Sequence, residues 1–522
     1  MFARRTARLA AVLVTLGTAL GALLTSASSG HAAADDLVVH TSGGPVRGLA
    51  AGPVDEFLGI PYAAPPVGAL RWQPPQPASK WSGVRDATRF APDCAQPTGP
   101  FGRPSTAEDC LYLNIYTPHR KPPRSGFPVM VWIPGGGFHS GAGSFYDPAA
   151  LVADGVTVVT INYRVGALGF LAHPALADAR GQSGDYGLMD QQAALRWVRG
   201  SISGFHGDAH NITIFGESAG GASALAQVVS PQAAGLFERA IAESGSYDTT
   251  QTTLAAAESA GTDFAAKAGC ADQSAACLRA LPVSTILADE ATEYRPNLDT
   301  EVLPRPVGTA LATGLFNHVP ILNGTNHDEW RLMVAGSTLA GRPVTAADYQ
   351  AMISAALGVS PARAAAVAAR YPLTAYPSPA LALGAVGTDA VFACPALTID
   401  RSAARFVPTF AYEFNDENAP EDFLPPAGFP YGAPHASELQ YLLGLPYAAY
   451  PKTLSAQQQQ LATVMRTYWT NFAKTGSPTA AGTPRWPSFG DGSQRVQSLL
   501  PPAPGTETDF AATHDCAFWD RG

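Results

Sequence analysis

Gly216-Glu217-Ser218-Ala219-Gly220 follows directly on the β-branched run 212–215 and precedes the helix-like stretch 222–229. Glycines on both sides of a serine permit a tight strand-to-helix turn, which leaves Oγ exposed at the carboxyl end of the strand. A hydroxyl so placed is a nucleophile only if a base takes its proton and donors hold the oxyanion that forms. Gly135-Gly136-Gly137-Phe138, after the apolar run 129–133, offers such donors. The N–H groups of Gly136, Gly137 and Ala219 would point at one spot, with no side chain in the way. In a chain this rich in glycine either motif alone is weak, and a glycine triplet alone reads as a flexible turn. Together they point to acyl transfer.

The base is one of eleven histidines. Chain order in this kind of site runs nucleophile, acid, base, which leaves His318, His327, His435 and His514. His435 lies in Gly432-Ala433-Pro434-His435-Ala436-Ser437-Glu438-Leu439, a loop opening a helix. The acid is Asp328 or Glu329, in a segment that follows the apolar run 319–322. Residue types and order alone leave both choices open.

These groups need a scaffold. The runs 129–133, 156–161 and 212–215 read as buried strands, 190–202 as a helix, and 319–322 and 409–414 as later strands. That alternation predicts an α/β protein with a central, mostly parallel sheet and helices on both faces. Residues 456–474 have a helical pattern whose Tyr468, Trp469 and Phe472 read as core packing. Proline-rich patches at 61–77, 97–123 and 420–434 read as surface loops. No fixed-period repeat is evident. A length of 522 residues with 46% hydrophobic and 14% charged residues excludes disorder, collagen-like repeats and coiled coil.

Arg4, Arg5 and Arg8, the apolar run 9–24 and Ala32-Ala33-Ala34 before Asp35 have the form of an export signal. Residues 1–34 are therefore expected to be removed, leaving 35–522 as a single secreted catalytic domain. Arg4-Arg5 also admits a twin-arginine route. The apolar run is short for a spanning helix, and no later stretch reads as one, so no stable membrane insertion is expected. Loss of 1–34 takes away three Arg and no acid, moving the net charge from −9 to −12. So acidic a protein has no broad footprint for nucleic acid. Six cysteines, an even number in an exported chain, favour disulfides. Without C-x-x-C or H-E-x-x-H no metal or other cofactor is expected, and His206 and His210 read as loop residues. Asn211 and Asn323 match the glycosylation pattern, the first running into a buried strand.

The chain resembles the type-B carboxylesterase family, which includes cholinesterases and several fungal and bacterial lipases and esterases. The matching residues run from about Phe57 to Trp519. They include Phe57-Leu58-Gly59-Ile60-Pro61-Tyr62-Ala63, Glu108-Asp109-Cys110-Leu111-Tyr112-Leu113-Asn114 and Ile161-Asn162-Tyr163-Arg164. Gly187-Leu188-Met189-Asp190-Gln191-Gln192 and Tyr468-Trp469-Thr470-Asn471-Phe472 join the serine and glycine motifs already named.

The resemblance implies an α/β-hydrolase fold with Ser218 as nucleophile, Glu329 as acid and His435 as base. Glutamate in place of aspartate is a mark of this family. It also implies an Arg71–Glu108 ion pair, a supporting role for Ser244 behind the triad, and disulfides Cys94–Cys110, Cys270–Cys277 and Cys394–Cys516. Pro134 departs from the family's usual Tyr or His and implies a stiffer entry to the glycine loop. The segment between Cys94 and Cys110 holds no Trp, so a choline ester is not the expected substrate. That segment is a lid in lipases; here it is short, with Phe101 its only aromatic, which favours small soluble esters. The implied protein is a monomeric esterase acting on small-molecule esters, with activity favoured at neutral to alkaline pH. Lipase, amidase and carbamate hydrolase remain alternatives on the same triad. A binding protein is the rival of another class, but the family's adhesion members lack the nucleophile present here.

Overall fold

The computed structural model describes residues 37–99, 102–290, 294–490 and 494–520. The expected export signal and Phe101 lie outside the described residues.

Eleven strands form one sheet. In chain order they are β1 (Leu49–Ala51), β2 (Val54–Pro61), β3 (Tyr112–Pro118), β4 (Phe127–Ile133), β5 (Thr157–Ile161) and β6 (Gly207–Glu217). β7 (Arg239–Glu243), β8 (Ile321–Asn326), β9 (Thr409–Phe414), β10 (Val496–Leu499) and β11 (Gly505–Glu507) complete it. Across the sheet the order is β11-β10-β9-β8-β7-β6-β4-β5-β3-β2-β1. The block from β5 to β10 is parallel, and antiparallel pairs lie only toward the two edges. The chain runs outward from β4 to β5, then returns to the other side of β4 as β6. Such a reversal opens a crevice at the carboxyl ends of β4 and β6, where open parallel sheets place their ligand sites.

The unbroken apolar run Val129-Met130-Val131-Trp132-Ile133 follows from covering on both faces. Val129, Val131 and Ile133 pack on one side with Leu195 and Val198 of the helix Tyr186–Ser201 and with Leu225 and Val228 of the helix Ala219–Val229. Met130 and Trp132 pack on the other, with Leu151 of the helix Ala149–Ala153 and Met465, Trp469 and Phe472 of the helix Ala456–Thr475. The period of two along the strand thus assigns alternate side chains to two helical layers.

Several elements extend beyond their expected limits. The strand read at 212–215 runs back to Gly207, and the one read at 319–322 is displaced to Ile321–Asn326. In β8 the polar Asn323, Thr325 and Asn326 are carried by ladder pairing with β9 rather than by local propensity, while in β6 Gly207 pairs with Phe127 and the ladder resumes at Ile212 after an irregularity. The reading that no later stretch has the length of a membrane span is corrected. Residues Pro379–Ala403 form a continuous 25-residue helical run that is long and apolar enough, and 78% of its most apolar window is buried inside the fold. It is an internal helix, with six residues, Thr388–Ala393, in π geometry.

All three implied disulfides are present, Cys94–Cys110, Cys270–Cys277 and Cys394–Cys516. Arg71 and Glu108 make a two-pronged pair, Nε to Oε1 and Nη2 to Oε2 each 2.6 Å. Asn323 is fully buried, bonded to Ser246 and Asp400, so the folded chain offers no acceptor for a glycan there.

Candidate active site

Ser218 ends β6 and precedes the helix Ala219–Val229, in a conformation open to few residues other than glycine (φ 56°, ψ −122°). Two features hold the turn. The Ser218 N–H donates to the Glu243 carbonyl at 2.8 Å, and its carbonyl accepts from the Ala222 N–H at 2.8 Å. The flanking glycines are steric necessities. A Cβ on Gly216 would lie 2.5 Å from the Ile133 carbonyl oxygen, and one on Gly220 only 1.9 Å from that same oxygen.

The serine Oγ lies 2.8 Å from His435 Nε2. The other ring nitrogen, Nδ1, lies 2.6 Å from Glu329 Oε2. Glu329 is fully buried, and its second oxygen accepts from Thr325 Oγ1 and the Asn326 N–H, both at 2.8 Å. Four oxygen lone-pair directions are thereby largely spoken for, so the carboxylate is held in one orientation. Asp328, the other candidate acid, faces away. It accepts from the Ala433 N–H at 3.0 Å and pairs with Arg331 at 2.6 Å, anchoring the loop that carries His435. Asn326 Nδ2 adds a bond to the Pro434 carbonyl at 2.8 Å.

Beside the serine, Gly135–Gly137 leave β4. A Cβ on Gly135 would lie 2.6 Å from the Glu217 carbonyl oxygen, so the loop packs directly on the turn. Gly136 (φ 114°) and Gly137 (φ 66°) take conformations that favour glycine. Both line the cavity that exposes Ser218 and His435. The Ala219 N–H opens a helix and is one of the donors a helix leaves unpaired. Gly136, Gly137 and Ala219 are thus brought to the serine. Ser244 is buried near the end of β7, but its hydroxyl has no hydrogen-bond partner among the described residues. It makes no direct bond to the relay.

Three acidic groups crowd the imidazole. Glu217 Oε1 lies 3.2 Å from His435 Nε2, without hydrogen-bond geometry, and Glu438 is buried behind. Burial opposes charge on His435, yet Glu217, Glu329 and Glu438 outweigh it and hold the ring's pKa up at about 9. Burial lifts the Glu217 carboxyl to about 8, with His435 pulling it down and Glu438 and Glu329 adding to the rise. Reading by residue type assigned neither Glu217 nor Glu438 a role. The signal available was position, since each stands within three residues of a relay member.

The remaining late histidines are elsewhere. His318 is exposed, 3.0 Å from the Gly314 carbonyl. His327, Glu413 and His514 bring potential metal-ligating atoms within 4.8 Å of one another. Their mutual contacts of 2.9 and 2.6 Å, with Asp389 at 2.6 Å from His514 Nδ1, satisfy these groups with each other. His206 ends the turn just before β6, as read, whereas His210 lies inside the strand, which corrects its reading as a loop residue and follows from β6 beginning at Gly207.

Two cavities meet at Ser218. One, of about 620 Å³, is walled by Trp330, Met333, Leu357 and Phe392. The other, of about 400 Å³, is walled by Leu332, Met333 and Leu424 and reaches His139 and Glu217. Phe392, in the π segment, stands 5.1 Å ring to ring from His435. These wall residues come from segments far apart in sequence, and sequence patterns give no sign of them.

Residues 35–519 match the family model described as the Carboxylesterase family. A fumonisin B1 esterase of Sphingopyxis macrogoltabida is 36% identical over 479 residues, 87% of this chain and 84% of the relative. A human cocaine esterase is 34% identical over 509 residues, 91% of this chain and 88% of the relative. The para-nitrobenzyl esterase of Bacillus subtilis (strain 168) is 35% identical over 479 residues, 87% of this chain and 92% of the relative.

Proposed function

The chain belongs to the carboxylesterase family, a carboxylic ester hydrolase on the α/β-hydrolase fold, and from that premise we propose that it is a secreted serine esterase working through Ser218, His435 and Glu329. The observation that carries this reading is the continuous relay of Ser218 Oγ, His435 and Glu329 at 2.8 and 2.6 Å, opening on a glycine loop.

The chemistry is a two-step acyl transfer. Ser218 Oγ attacks the ester carbonyl as His435 Nε2 takes its proton. The Gly136, Gly137 and Ala219 N–H groups hold the oxyanion, worth about 3 kcal/mol per donor in comparable sites. The imidazolium gives the proton to the leaving alcohol, and Glu329 keeps the ring oriented and stabilises its charge. Water then repeats the sequence on the acyl-enzyme and frees the acid. Three disulfides support an exported protein, since such bonds persist in oxidising compartments.

Hydrolysis of p-nitrophenyl acetate, butyrate and palmitate by the wild type and by Ser218→Ala tests this. The variant should lose nearly all activity, because the three groups act as a unit. Activity falling from butyrate to palmitate supports an esterase, whereas a preference for palmitate points to a lipase. A wild type inert on all three, or an active Ser218→Ala, overturns the reading.

A further inference from the structure

The two cavities at Ser218 differ in charge. The larger carries Arg295 and Arg363 on its wall and, among the described residues, no acidic side chain. The smaller carries Glu217 and His139 and neither Arg nor Lys. Arg363 is half-buried, its guanidinium stacked 4.7 Å from the Phe518 ring centre and 5.6 Å from that of Trp519. Those rings are anchored. Trp519 Nε1 donates to the Tyr371 hydroxyl at 2.8 Å, which donates to Asp389 at 2.7 Å. No carboxylate among the described residues pairs with Arg363. Arg295 lies over Tyr247 at 5.7 Å and acts on the buried Asp248. Tyr247 stands 5.5 Å from Phe392, the ring that packs on His435.

We propose that the larger cavity receives a carboxylate-bearing part of the ester, so that the preferred substrates are anionic: half-esters of dicarboxylic acids, or esters of hydroxy acids. This rests on Ser218 as nucleophile. The chain's net charge of −9 repels anions at long range, so Arg363, on the wall of the cavity that holds the nucleophile and with no carboxylate partner among the described residues, is a local reversal of the protein's field, to which Arg295, set against Asp248, adds. The Arg363 guanidinium, 4.7 and 5.6 Å from the Phe518 and Trp519 ring centres, can offer a two-pronged bond to a carboxylate, which a flexible ammonium does not match. The apolar side chains of Trp330, Met333, Leu357 and Phe392 in the same cavity suit the carbon chain joining carboxylate to ester.

The test compares kcat/KM for charged and neutral partners in two arms. Mono-p-nitrophenyl glutarate against p-nitrophenyl valerate places the charge on the acyl side. 4-Acetoxybenzoate against its methyl ester places it on the alcohol side. In one arm the charged ester should be preferred, and that preference should drop about tenfold in Arg295→Gln/Arg363→Gln, in keeping with hydrogen bonds to charged groups. Arg363→Lys should keep part of it. Added salt should erode the preference in the wild type, because the site is partly open to solvent, and this needs no variant to fold. If neutral esters are turned over in a Ser218-dependent way but charged ones gain nothing in either arm, the anion reading fails and the esterase stands. A preference unmoved by the double variant and by salt overturns the assignment to the arginines. A wild type inert on all four esters overturns the serine reading instead.

Discussion

In the proposed reaction the imidazole of His435 is the residue on which the chemistry turns, and its surroundings set the pH at which it works. It must be neutral to accept the serine proton, so activity rises as pH climbs through its pKa, held at about 9 by burial set against Glu217, Glu329 and Glu438. The acid limb of kcat/KM should therefore lie above the ordinary histidine range near 6.5. Glu217→Gln removes a negative charge 3.2 Å from the ring. That change destabilises the protonated form, so the limb should move to lower pH; a limb that stays in place would show that Glu217 does not act on His435. Glu329→Gln should lower kcat by about 10³ to 10⁴ with a much smaller change in KM, since an amide cannot stabilise the imidazolium. Asp328→Asn, which disturbs only the loop anchor, should cost far less activity, and equal losses would reverse the assignment. Order along the chain left these two acids as equals. The difference between them is one of direction: Glu329 points at the ring and Asp328 at Ala433 and Arg331.

At the scale of elements, the turn between β6 and its helix is the most constrained feature of the site. Gly220 allows the helix backbone to press against the end of β4, where a Cβ would lie 1.9 Å from the Ile133 carbonyl oxygen. Gly220→Ala must push these elements apart. A displacement near 1 Å should cost about a hundredfold in kcat/KM, together with a lower Tm. Retained activity would mean that the turn tolerates expansion. The strands and helices around this turn were readable because apolar, β-branched runs buried on both sides look alike wherever they occur. Boundaries were less readable. β6 begins five residues before its apolar run, because pairing with β4 supplies what local sequence does not. The Pro379–Ala403 run shows the same limit from the other side: apolar enough for a membrane, it is covered by protein.

In the molecule as a whole, the chain's carboxyl-terminal segment returns to the larger cavity at Ser218. Trp519 lines it, His514 is held between Asp389 and Glu413, and Cys516 is bonded to Cys394, 122 residues earlier. Closing a loop of that length removes much of the unfolded chain's freedom, a contribution of about 4 to 5 kcal/mol on the entropic account. Cys394→Ser/Cys516→Ser should lower unfolding free energy by an amount of that order in denaturant titration. Its KM should also rise, because the aromatic wall around Trp519 loses its tether. An unchanged KM at reduced stability would separate the bridge from the cavity.

The sequence by itself determined the fold class and showed the glycine-flanked Ser218 and the Gly135–Gly137 loop, and through its resemblance to a family it gave the disulfide pairing and the proposed acid and base. The fold class and the two motifs were readable because each depends on residues close in the chain or on backbone freedom that only glycine supplies, whereas the acid, the base and the bridge Cys394–Cys516 join distant residues and rested on the resemblance. Only the tertiary structure decided which carboxylates surround His435, that Ser244 makes no bond to the relay, and that the cavities on either side of Ser218 carry unlike charge. Those properties arise between groups hundreds of residues apart, such as Glu217 and His435 beside the ring or Ser218 and Trp519 on one cavity wall. Their separation in space is set by how the sheet closes up its layers, and a linear pattern does not encode it.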